Sequence, residues 1–199
     1  MTDVIEMLAG LGADSPLVTI RDRKPVTRQN AQASYKALFE PAVPGDVTLQ
    51  ERFAIASFVA GLHAQAAITA FYATGLDRTA ATATFTVALS DEITLGRTIG
   101  PYGAYPAGPL TAEDVPGPVY HVAEPHPAVF GARLTAALEH VHMLVFHPRD
   151  ANAAALQTLL DAGWSNTGIV TISQLVAFLA FQIRTVAGLR TLAATRSVP

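Results

Sequence analysis

The chain contains no cysteine. That absence removes disulfides, thiolate metal ligands and every cysteine nucleophile at once, and leaves three methionines as the only sulfur. Charge is scarce as well: 15% of the residues are Asp, Glu, Lys or Arg while 50% are apolar, and the formal net charge is −3. A basic surface for nucleic acid or anionic lipid is therefore not expected. A glycine-rich phosphate loop is also lacking, because the glycines between residues 100 and 117 are interleaved with prolines, which have no N–H to donate. The opening "MTDVIEMLAGLGADSP" carries acids where a secretory signal carries bases. The apolar run from Leu175 to Phe181 stops at Gln182 and Arg184, short of the about 20 residues that span a bilayer. A buried helix, no membrane partner and a cytoplasmic location are the expectations that follow.

What remains is a chain of 199 residues, long enough to bury a core without staples, and rich in helix formers. The spacing and the stop signals predict an all-α fold in a single domain over 1–199, with N-terminal helices in 1–47, core helices in 48–99, a Pro/Gly-rich arm over 100–127 and C-terminal helices in 128–195. Asp3 to Ala9 reads as a first helix ended by Gly10, Ser15 and Pro16 open a second, and Thr27 to Phe39 forms a third. Thr48 and Glu51 form a T-x-x-E capping box ahead of "RFAIASFVAGL". Asp77 is expected to cap a further helix whose inner face holds Ala80, Ala83, Val87 and Ala88. In the arm, Tyr102, Tyr105 and Tyr120 predict packing against the body rather than a free loop. Asp150 is expected to cap a helix over Ala153 to Ala162, and Ser165 to start the last and longest.

Two segments carry a resemblance. The stretch "ERFAIASFVAGLHAQAAITAFYATGL" from Glu51 and the stretch "HPRDANAAALQTLLDAGWSNTGIVTISQLVAFLAFQIRTVAGL" from His147 resemble the carboxymuconolactone decarboxylase and alkylhydroperoxidase D-like superfamily, in particular its uncharacterised peroxidase-related branch. "GAYPAGPL" and "HVHMLVFHPRD" also resemble a subgroup of carboxymuconolactone decarboxylase domain proteins. The resemblance covers about seventy of the 199 residues. It implies an AhpD-like helical fold, a homo-oligomer, and peroxidase- or decarboxylase-type activity.

Active members carry a Glu, eleven residues, Cys-x-x-Cys, three residues and a His; the thiolate attacks a peroxide, the second thiol resolves it, and the carboxylate and imidazole relay protons. Matched by its leucine, "GLHAQAAITAFY" puts Phe53 at the acid, Gln65 and Ile68 at the cysteines and Tyr72 at the histidine. A register two residues earlier restores Glu51 as the acid but puts His63, Ala66 and Ala70 at the other positions. Neither register has a nucleophile, so thiol peroxidase activity is not expected. The frame is expected to keep a pocket lined by His63, Gln65 and Tyr72 that binds a small organic ligand, with His63 and Tyr72 as the candidates for acid–base chemistry. The competing reading is a non-catalytic subunit partnering a cysteine-containing homologue.

Glu139 and His142 are three apart and can share a helical face, while His140 and His142 point apart. For His140, His142 and His147, capping, interface or surface roles are favoured over a metal, and no metal or other cofactor is expected. Arg184 interrupts an apolar helix and must be paired or reach water, with Glu51, Glu139 or the carbonyls of the arm as partners. Together with Glu51 and His142 it is a candidate polar pocket or interface residue.

Overall fold

The structure, a computed structural model, describes residues 3–196. Among them it is all-α: nine α-helices, no strand, and one isolated bridge between Gly103 and Val115. The chain packs as two compact units, one of residues up to Val43 with those from Ala177 onward, the other Pro44–Val176.

In the first unit, α1 (Val4–Ala9) starts where the Asp3 carboxylate accepts the amide hydrogens of Ile5 and Glu6, both at 3.0 Å, and ends at Gly10 in the left-handed region. Helix α2 (Pro16–Asp22) opens on the Ser15 cap followed by Pro16, and α3 spans Pro25–Phe39. Arg21 bonds Asp3 at 2.8 Å and Glu6 at 2.6 Å, and Arg28 bonds Glu6 at 2.9 Å and also Asp22. Burial pushes the Asp3 carboxyl up, but the Arg21 hydrogen bond, the Glu6 amide and the two guanidinium charges outweigh it and hold it below the usual range. From the long C-terminal helix α9 (Asn166–Arg196) this unit takes Leu179 and Val186, both fully buried. Arg184 needs none of the partners anticipated for it: its side chain is exposed and donates to the Ala180 carbonyl of its own helix at 3.0 Å.

In the second unit, α4 (Leu49–Leu62) begins with both halves of the Thr48–Glu51 capping box in place. It turns through His63, Ala64 and Gln65, with Ala64 at φ 54°, into the antiparallel α5 (Ala66–Asp77). Helix α6 (Ala83–Leu95) is capped by Thr82 rather than Asp77, and its buried face is Phe85, Ala88, Leu89, Glu92 and Ile93, while Val87 is exposed. α6 crosses α4 at Gly61, where a Cβ would stand 2.3 Å from Ile93, so only glycine allows that approach. Helix α7 (His126–Phe146) kinks at Gly131, where φ is 76°. Asn152, not Asp150, caps α8 (Ala153–Asp161), its side chain accepting the Ala155 amide hydrogen at 3.0 Å. Ile172 and Leu175, on the first part of α9, are fully buried in this unit.

Arg133 of α7 ties these pieces together. It donates to Glu51 at 2.8 Å and to the Gly163 carbonyl at 2.9 Å, and its guanidinium lies 3.8 Å from the Trp164 ring centroid. The arm is packed at its ends and solvated in its middle. Tyr102 and Val122 are buried, Tyr105 stacks under Arg149 at 4.1 Å, and residues 106–119 are exposed. By length and composition Asn166–Thr195 is apolar enough to cross a membrane, although 44% of its most apolar window is buried in the protein.

Candidate functional site

Gln65, Ile68 and Tyr72 follow one another at helical spacing along one face of α5, with Gln65 at its N-terminus. Phe53 lies near the start of α4, and its ring fills the place a Cβ on Gly75 would take, 2.2 Å from its Cε1. Because the hairpin is antiparallel, Phe53 meets the far end of α5, about 15 Å along the helix from Gln65 at 1.5 Å per residue. Tyr72 thus lies within a turn of the Phe53 contact, while Gln65 is at the turn. Ile68 and Tyr72 are fully buried, and His63 and Gln65 are half-buried where the chain reverses. Four pockets, of about 390, 530, 240 and 430 Å³, are all lined by residues from other parts of the chain. Glu51 serves the capping box and the Arg133 ion pair.

The polar chemistry is gathered around α6, α7 and the end of the arm. Glu92 has 0% exposure, because the apolar spacing of α6 points it inward with Ala88 and Leu89. A buried carboxylate must be hydrogen-bonded, and the arm supplies the donors. Tyr120 donates its hydroxyl to Oε2, Ala123 donates its amide to Oε1 at 3.0 Å, and His126 Nδ1 is in contact with Oε1. Because a carboxylate only accepts, the His126 nitrogen is the donor in that contact. Burial, then the bond to Glu92 and the Glu92 and Glu139 charges, push the Tyr120 phenol far above its ordinary pKa, so it stays protonated.

Tyr120 stacks on His142 with centroids 4.6 Å apart. His142 Nε2 donates to the Gly96 carbonyl at 2.9 Å, and its Nδ1 is buried with no hydrogen-bond partner. Burial therefore pulls His142 down to about 4; the His147 charge acts in the same sense and the Gly96 bond opposes it. His140 is lowered by burial too. Both imidazoles are neutral near pH 7, one as a donor inside the core and the other at a pocket wall.

That pocket, of about 240 Å³, is bounded by Tyr120, Glu139, His140, Met143 and His147 with Thr158 of α8 opposite. Glu139 accepts the Val122 amide hydrogen at 3.0 Å and lies 3.3 Å from His121. His147, the C-cap of α7, bonds Asp150 at 2.8 Å and is stacked under Tyr102 at 4.8 Å. It also borders the 390 Å³ pocket beneath the arm. Among the described residues no three His, Asp or Glu side chains are arranged to hold a metal ion; Glu139 and His142 turn to different partners.

Glu92 and His126 were not reached by sequence reasoning, and Tyr120 and Asp150 were reached only as an arm-packing residue and a helix cap. The helical spacing of Phe85, Leu89 and Glu92 is a signal that places Glu92 on the apolar face of α6. Its partners, 28 to 34 residues away, leave no local trace. No family model, curated protein or solved structure matches this chain.

Proposed function

We propose that this chain is an alkylhydroperoxidase D-like, carboxymuconolactone decarboxylase-type helical protein without a thiol centre, which binds a small organic ligand and serves acid–base rather than sulfur chemistry. The all-α architecture and the capped α4–α5 hairpin are compatible with that ancestry, and the absence of cysteine sets the chemistry. The observation that carries the ligand reading is the pocket in which Tyr120, Glu139, His140 and His147 meet. It is smaller than the about 300–1,000 Å³ of drug-sized sites and is walled by a few polar groups over an apolar floor, as ligand sites are.

The ligand pocket of this reading lies at α7 and the arm, not at Gln65 and Tyr72. The test is a screen of small neutral and acidic organic molecules by thermal shift. A hit that raises the melting temperature of the wild type and loses the effect in Glu139→Leu, but keeps it in Gln65→Leu, supports the reading. A shift abolished by Gln65→Leu and untouched by Glu139→Leu moves the site to the hairpin. Peroxide reduction with a dithiol donor is expected to stay at the rate without protein.

A further inference from the structure

The geometry points to His147 as a general base, oriented by Asp150, that takes a proton from the carbon beside the carbonyl of a small uncharged ketone or aldehyde held in the α7 pocket. This rests on the ligand reading above and names its reaction and substrate class.

The dyad is built for one tautomer. His147 is 6% exposed, and its Nδ1 hydrogen goes to Asp150 Oδ2 at 2.8 Å. Asp150 Oδ1 accepts the Ala104 amide hydrogen at 2.8 Å. Gly103 clears the space: a Cβ there would lie 2.6 Å from the same carboxylate. Burial raises the Asp150 carboxyl, but the Ala104 amide and His147 outweigh it and keep it ionised. An ionised acceptor at Nδ1 fixes the proton there and leaves the lone pair on Nε2. Nε2 has no hydrogen-bond partner among the described residues, and His147 lines both the pocket at α7 and the one beneath the arm. A stacked Tyr102 above and His142 at 6.0 Å hold the ring in place.

The lining sets the substrate class. It holds a carboxylate, Glu139, and no Lys or Arg. A carboxylic acid would enter as an anion beside Glu139 with no cation to receive it, whereas an uncharged carbonyl compound carries no such penalty. His140, neutral because it is buried, is a hydrogen-bond donor on the same wall for an oxygen that gains charge. In the step, Nε2 accepts the proton from the α-carbon, the C–H electron pair becomes the C=C bond, and the carbonyl π pair moves onto oxygen. Return of a proton from Nε2 to carbon regenerates the carbonyl compound, and when Nε2–H first trades its proton with solvent water the returned hydrogen is the solvent's, so exchange needs water alone as co-reactant.

The test uses cyclohexanone in D2O, with α-hydrogen exchange followed by proton NMR and binding by saturation transfer. The wild type is expected to exchange the ketone saturably above the buffer rate and to leave pyruvate at its buffer rate. His147→Gln is expected to lose roughly 100-fold of the acceleration. Asp150→Asn is expected to lose about tenfold and to shift the His147 ring nitrogen signals toward a mixed tautomer, which a merely structural Asp150 would not do. Binding without exchange in the wild type, or undiminished exchange in folded His147→Gln, overturns the base and leaves the pocket standing. No cyclohexanone binding overturns both.

Discussion

Tyr120 donates its hydroxyl to Glu92, a carboxylate with 0% exposure, across 28 residues of sequence. That bond closes the arm onto α6, and its neighbours, the Ala123 amide and His126, complete the shell of the same carboxylate. The arm's final segment is therefore held by one buried acid.

Removing that acid strands three donors in a dry site. Glu92→Ala is expected to cost about 3–5 kcal/mol in urea denaturation, the range for breaking a buried charged network. Tyr120→Phe removes one charge-assisted bond and keeps the ring on His142, so about 1.5–3 kcal/mol is expected. A loss under about 0.5 kcal/mol for Glu92→Ala would show that the carboxylate does not hold the arm.

His142 gives the fold an acid sensitivity. Its pKa is about 4 in the folded chain and near 6.5 when unfolded. Since the unfolded chain binds the proton more readily, stability is fully present above about pH 6.5 and declines as pH falls through that value towards 4. At about 1.4 kcal/mol per unit the total is on the order of 3 kcal/mol. Urea midpoints from pH 7.5 to 4.5 read it, and His142→Gln, which keeps a donor for Gly96, is expected to flatten that part of the profile.

Gly103 sits at φ 109° with Asp150 in the place of its Cβ. Gly103→Ala therefore meets both backbone strain, about 1–3 kcal/mol, and a clash with the carboxylate. The expected result is faster proteolytic nicking within 104–119 and loss of the Ala104–Asp150 bond, seen as a faster-exchanging Ala104 amide. Unchanged exchange at Ala104 would mean that the loop adapts without releasing Asp150.

Local signals were legible and distant ones were not. Asp3, Ser15 with Pro16, and Thr48 with Glu51 act as caps because a cap is a relation over two or three residues. The packed ends of the arm followed from its tyrosines for the same kind of reason. Asp150 has the residue type and position of a cap, yet the chain uses Asn152 for that purpose and turns Asp150 back to His147 and Ala104. Either residue satisfies the local rule; the Gly103 turn, which only the folded arm sets beside Asp150, separates them. Arg184 looked costly within an apolar helix, but α9 is buried on one side only and Arg184 is on the other. Phe53, Gln65, Ile68 and Tyr72 share a helix hairpin, but antiparallel geometry sends Phe53 and Gln65 to opposite ends of it.

The proposed site holds a small ligand between α7 and the arm. Its most direct measurement is amide chemical-shift mapping of the labelled protein titrated with cyclohexanone. Saturable shifts are expected at Tyr120, Glu139, His140 and His147, with Gln65, Ile68 and Tyr72 unmoved. Shifts centred on those three α5 residues, or none anywhere, would contradict it.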